Sequence, residues 1–155
     1  MGDGVLAFVG AVFGAAVTAA LAEILRRQRE RARALLVIRS QVRTIHEAVE
    51  ALGKGDVPRR AFEVEARLSG FTLDSAALGD IPPNVVRIVE AMRASVTNTI
   101  RAAAPVLSHV RSLSSGIPIN HFKAFEDSIE PLRASVETAI AALDKARGEL
   151  GPASE

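Results

Sequence analysis

Apolar residues along this chain follow two regimes, one continuous and one periodic. From Gly4 to Ala22, nineteen residues (GVLAFVGAVFGAAVTAALA) pass without a charge, bracketed by Asp3 and Glu23. At about 1.5 Å per residue they make roughly 29 Å of helix, close to the ~30 Å hydrocarbon thickness of a bilayer. Downstream, apolar residues recur at three- and four-residue steps, the mark of helices that bury one face. Leu35, Ile38, Val42, Ile45, Val49 and Leu52 space as 3-4-3-4-3, a heptad-like seam of the coiled-coil kind, and no Pro or Gly interrupts residues 23–52. The pattern predicts one helix from Gly4 to Leu52, roughly 73 Å long. Its seam is too short for a free-standing coiled coil and is expected to pack against later helices of the same chain.

Asp56-Val57-Pro58 predicts the start of a short helix running to about Ser69, with Asp56 as cap and Gly70 as stop. Phe62, Val64 and Leu68 are its apolar contributions. The segment from Phe71 to Pro83 reads as an irregular connection with one helical turn around Ser75–Leu78, tucked down by Phe71, Leu73, Leu78 and Ile81. Asn84 is expected to cap a helix over Val85–Leu113, with Val85, Val89, Met92, Val96, Ile100, Ala103, Leu107 and Val110 inward. Ser114 to Pro118 is the break, and Asn120 is expected to cap a last helix ending near Gly148–Gly151. In that helix Phe125, Ile129, Leu132, Val136, Ala139, Leu143 and Ala146 alternate 4-3-4-3-4-3.

Pro105 and Pro131 each fall inside a long helix, where a missing N–H bends the axis. A hairpin turning about residue 116–117 would set Pro105 level with residue 128 and bring the two bends within a turn of each other. No strand pattern occurs. The expected fold is all-α, a single N-terminal transmembrane helix continuing into a cytoplasmic antiparallel helical bundle. Its divisions are an anchor over 1–25, a basic juxtamembrane helix over 26–52, the remainder of the bundle over 53–151 and a disordered tail over 152–155.

Charge fixes the expected orientation. Residues 1–25 carry −2, residues 26–43 carry +6 and residues 44–155 carry −3. The basic run directly after the span places the C-terminal side in the cytoplasm by the positive-inside rule, with the short N-terminus outside. Arg26, Arg27, Arg29, Arg31 and Arg33 are the candidate contacts to anionic head groups, and membrane lipids are the first expected partner. A cleaved secretory signal is the competing reading, since Ala20-Leu21-Ala22 has a small-x-small form, but Met-Gly-Asp is not a basic leader and the apolar run is long. A buried core helix is the other alternative; such a helix rarely carries a single Thr as its only polar residue over five turns. The location implied is the inner (cytoplasmic) membrane of a bacterium, in keeping with sixteen Arg against three Lys and abundant Ala.

Candidate chemistry is sparse. The chain has no Cys, Trp or Tyr, which removes thiol catalysis, disulfides and Cys-based zinc sites. His46-Glu47-Ala48-Val49-Glu50 lacks the second His of a zinc-protease helix. His109 and His121 flank the last turn and could hold a metal only with Glu126 or Asp127, whose run reads as a solvated face. Gly53-Lys54-Gly55-Asp56 is a turn without the length of a phosphate loop, and no Ser sits in a nucleophile setting. No enzyme, cofactor, nucleic-acid partner or small-molecule substrate is expected.

The span itself carries the remaining pattern. At ~100° per residue, Gly4, Ala7, Gly10, Ala11, Gly14, Ala15, Thr18 and Ala22 project into one arc of about 140°, opposite Phe8, Val9, Val12 and Phe13. Small residues let helices approach closely in lipid, and Gly10 to Gly14 is a G-x-x-x-G. Ala7, Gly10, Ala11, Gly14, Ala15, Thr18 and Ala22 are therefore the candidate helix–helix contact, toward a second copy or another membrane protein. The expected function is a single-pass adaptor, scaffold or regulatory subunit. The alternative is an oligomeric pore-forming or holin-like effector of phage or defence origin.

Overall fold

The computed structural model describes residues 3–53, 55–112, 116 and 118–150, with side chains from residue 15 onward. Among these residues the chain forms five helices and no strand: α1 (Asp3–Ala51), α2 (Val57–Leu68), α3 (Ser75–Asp80), α4 (Pro83–Arg111) and α5 (Ile119–Glu149). The protein is all-α and builds a helical bundle. The tail over 152–155, Leu113, Ser114, Ser115 and Gly151 lie outside the described residues.

α5 is the shared wall. It runs antiparallel to α1, as Arg39 to Asp144 (2.5 Å) and Arg133 to Glu50 (3.4 Å) show, and antiparallel to α4, where Thr99 Oγ1 donates to the Ser128 carbonyl at 3.2 Å. α2 packs chiefly on α4, and α3 on α1. The three long helices bury heptad seams: Leu35, Ile38, Val42, Ile45, Val49 and Leu52 from α1, and all seven of Phe125 to Ala146 from α5. The α4 seam is Val85, Val89, Met92, Val96, Thr99, Ala103 and Val106, an unbroken 4-3-4-3-4-3. Ile100 is only half-buried, because the period selects Thr99 although the neighbouring residue is the apolar one.

Thr99 is the one buried polar side chain among the described residues, and its hydroxyl is satisfied within reach of two carbonyls, Ser95 at 3.0 Å and Ser128 at 3.2 Å. Ser128 lies three residues before Pro131, which has no N–H to give the Asp127 carbonyl and opens α5 locally. The threonine therefore ties α4 to the loosened stretch of α5. This pairing also corrects the expected proline geometry. Thr99 opposite Ser128 sets Pro131 level with about Val96, and His109 beside His121 (ring centroids 5.4 Å apart) sets Pro105 near residues 122–125. The two bends are separated by roughly 9–14 Å, about two turns, and do not coincide.

The helix starts differ from the asparagine cues. Pro82 and Pro118 occupy the N-cap positions, and Asn84 and Asn120 lie inside the first turns. A residue before proline is driven to extended backbone, so Pro82 (φ −58°, ψ 139°) cannot be helical and Pro83 must begin α4. Asn120 still serves its turn, accepting from the His121 N–H at 3.1 Å. Asp56 stands at the cap of α2 without a side-chain bond, whereas Asp74 caps α3 by accepting from Ala76 and Ala77. Gly70 is not the left-handed stop expected after α2; Ser69 ends that helix, its N–H and hydroxyl both turned to the Glu65 carbonyl. The left-handed glycine that stops a helix is Gly53 (φ 53°), just after α1. Phe62 stays partly exposed, its ring under the Arg111 guanidinium at 5.8 Å.

Two substitutions probe this core. Leu132→Asp places an unpaired carboxylate at a fully buried position and should cost about 3–5 kcal/mol, read as a lowered unfolding midpoint in denaturant by circular dichroism. Thr99→Val keeps the shape and removes the bond to Ser128, so it should cost about 1–2 kcal/mol. Thr97→Val is the control: that hydroxyl bonds only the Arg93 carbonyl of its own helix, on an exposed face, and its loss should change stability little.

Candidate functional site

α1 extends far beyond the bundle. Among the described side chains the first buried one along it is Ala32, and none from 15 to 31 is buried. At 1.5 Å per residue the part of α1 that precedes Ala32, from Asp3 to Arg31, is roughly 43 Å long. Val17, Leu21, Ile24 and Leu25 are each half or more exposed, and Ala15, Thr18 and Ala22 are exposed as well. Among the described residues no helix is long and apolar enough to cross a membrane. Most of the apolar run, including Ala7, Gly10, Ala11 and Gly14 of the small-residue arc, lies outside the described side chains.

The five arginines form a collar between this projection and the bundle, and all five are exposed. Glu23 anchors its upper edge, accepting from Arg27 Nε at 2.8 Å and from Arg26 Nη2 at 3.4 Å, with Arg26 Nε 3.1 Å from its other oxygen; Arg26 also approaches Glu30 at 3.7 Å. The Arg27 hydrogen bond holds the Glu23 carboxyl below the ordinary carboxylate range, so this pairing persists at neutral pH and is lost only as pH falls through that lowered value. Arg29, Arg31 and Arg33 make no ion pair among the described residues.

The structure divides the collar in a way its sequence order hides. Counting 100° per residue, Arg27 and Arg31 share the side of Leu35, Ile38 and Val42 and so face the bundle, while Arg26, Arg29 and Arg33 face away. On the bundle side they meet the corner where α3 passes into α4. Arg27, Arg31, Glu30 and Asp80 line a groove of about 530 Å³ there, walled by Ile81, Pro82 and Pro83. Only long-range packing of α3 on α1 brings Asp80 to Arg31; no local spacing announces it.

The remaining polar groups divide into structural pairs. Arg60 bonds Glu126 at 2.7 Å, and Arg111 bonds Glu65, each joining α2 to a long helix. Glu126, read as part of a solvated face in the sequence, and Glu65 are thus interhelical partners, while Arg59 and Glu63 pair within α2 at 3.4 Å. Asp144 beside Arg39 raises that guanidinium's already high pKa, chiefly through the hydrogen bond between them. His109 and His121 do come together, with rings at 65°, and the His109 Nδ1–H donates to the Pro105 carbonyl at 2.9 Å. Glu126 is taken by Arg60, Asp127 shares a groove with Ser95 and Asn98, and no three His, Asp or Glu side chains gather to hold a metal ion among the described residues.

No protein-family model, no curated protein and no solved structure matches this chain.

Proposed function

We propose that this chain is a single-pass protein of the bacterial inner membrane, N-terminus outside, which holds a helical bundle at the cytoplasmic face as an adaptor, scaffold or regulatory subunit. The observation that carries the reading is the projection of α1. A helix that leaves its bundle with apolar side chains exposed on it needs a cover, and lipid supplies one for a segment whose sequence is uncharged for nineteen residues. The arginine collar begins where that uncharged run ends, at the depth where head groups lie.

Within this reading the small-residue arc is a dry contact with another helix. It offers one hydroxyl, Thr18, and its glycine and alanine backbone groups are already bonded within the helix. Such a face packs closely in lipid and solvates ions poorly.

Two measurements check the proposal. A reporter active only in the cytoplasm, fused after Glu155, should be active; a stronger signal from a periplasm-only reporter at that site would reverse the orientation, and a processed soluble product would restore the signal-peptide reading. Gly14→Leu with Gly10→Leu should weaken span-mediated association, measured by cross-linking in detergent, while membrane insertion persists. Phe13→Leu, on the opposite side of the projected helix, should have little effect. Dye leakage from liposomes that depends on Gly14 would replace the scaffold by a pore.

A further inference from the structure

We propose that the groove at the root of the projecting helix seats a phosphate ester bearing a primary ammonium, the phosphoethanolamine head group of an aminophospholipid; this rests on the membrane reading above. Position comes first. Arg27 and Arg31 lie about 8 and 14 Å beyond Ala22 along the helix, and the head-group layer extends roughly 5–8 Å from the hydrocarbon. Long arginine side chains bridge that small difference by reaching back toward the phosphates.

Charge then selects the ligand. The groove holds two guanidiniums, Arg27 and Arg31, and two carboxylates, Asp80 and Glu30, so it is balanced within itself. Arg27 is engaged with Glu23 through Nε, which leaves its terminal N–H groups to turn toward a phosphate, and Arg31 has no ion-pair partner among the described residues. A guanidinium fork matches phosphate oxygens, and a carboxylate matches an ammonium that still carries N–H donors. Phosphoethanolamine presents both groups. Phosphocholine lacks the N–H donors, and phosphatidylglycerol has no cation to answer Asp80. Pro82 and Pro83 stiffen the wall that carries Asp80, because both have fixed φ, so Asp80 is held on the wall facing the arginines, while Glu30 stands beside them on α1. The outward arginines, Arg26, Arg29 and Arg33, face away from this groove and remain the general contacts for anionic lipid.

The test uses the full chain, reconstituted in vesicles of equal phosphatidylcholine, phosphatidylethanolamine and phosphatidylglycerol, then extracted in mild detergent for mass spectrometry of retained lipid. Phosphatidylethanolamine should be retained severalfold above the other two. Asp80→Asn and Arg31→Gln, both at exposed positions, should each return retention to the bulk ratio, and Arg29→Gln on the outer face should not. Equal retention of the three lipids, a preference for phosphatidylglycerol, or a preference untouched by Asp80→Asn and Arg31→Gln would overturn the proposal. Soluble phosphoethanolamine should leave the retained lipid in place; if it strips the lipid at low concentration, the ligand is the free ester and not the lipid. Flotation with the vesicles separates the two levels of argument. A chain that floats without selecting phosphatidylethanolamine loses only this groove, whereas one that floats with no vesicle loses the membrane reading as well.

Discussion

The continuity of α1 is the constraint on which the remaining structure depends. One helix from Asp3 to Ala51 serves both as the projection and as a wall of the bundle, and no Pro or Gly falls between Gly14 and Gly53 to let it hinge. Backbone hydrogen bonds therefore run unbroken from the apolar run through the arginines into the core. The bundle fixes the rotational setting of that helix through Leu35, Ile38 and Val42. The same setting then decides which arginines face the α3–α4 corner and which face away. A tilt or rotation imposed on the projecting part would reach the bundle without an intervening joint to absorb it.

Inside the bundle the same economy appears in α5. Its 4-3-4-3-4-3 seam packs against α1 on one side and α4 on the other, while interhelical ion pairs such as Arg39–Asp144 lie at the rim. Exposed pairs of this kind contribute little to stability, so the seams carry the fold and the pairs record its register. Thr99 differs from them. Buried and bonded to the Ser128 carbonyl, it is favourable in one register of α4 against α5; a slip of one residue would leave its hydroxyl buried without that acceptor.

How far the sequence disclosed this is visible in particular residues. Periodicity carried the all-α fold, the extent of α1 and the full α1 and α5 seams, because burial of one face is what spacing encodes. It failed at Ile100, where an apolar side chain drew attention from the threonine that the heptad places inside. Capping cues failed at Asn84 and Asn120: Pro83 drives Pro82 out of helical backbone and so sets the start of α4, and α5 begins after Pro118, whose backbone is extended at ψ 132°. The arginine collar was legible as charge. Its two faces were not, although the signal was present: Arg27 and Arg31 extend the line of Leu35, Ile38 and Val42. What no spacing held was the identity of the opposing surface, because Asp80 reaches that line only through packing between distant parts of the chain.

The division of the collar also bears on how two copies of the proposed span would meet. Projected from the sequence, the small-residue arc of the span lies on the same side of α1 as Arg29 and Arg33, with Arg26 at its edge. A parallel pair of copies touching through the middle of that arc, at Ala7, Ala11 and Thr18, would carry Arg29 toward its counterpart, with Arg33 farther round and Arg26 at the margin. Arg29 lies fifteen residues beyond Gly14, roughly 22 Å along the helix. At a crossing angle near 20° the two axes would shift sideways by only about 8 Å over that length; combined at right angles with a contact distance of similar size, this leaves them about 11 Å apart, little more than the Debye length of about 8 Å. At the steeper crossing of about 40° that close glycine contacts favour, the added separation is roughly 15 Å, and screening removes most of the repulsion. The steep crossing also leaves room for two bundles, since the seam of Leu35, Ile38 and Val42 lies about 125° around α1 from the middle of the arc. Within the proposed membrane reading, small residues in the apolar run and like charges beyond it favour the same geometry, close at the small residues and diverging toward the bundles.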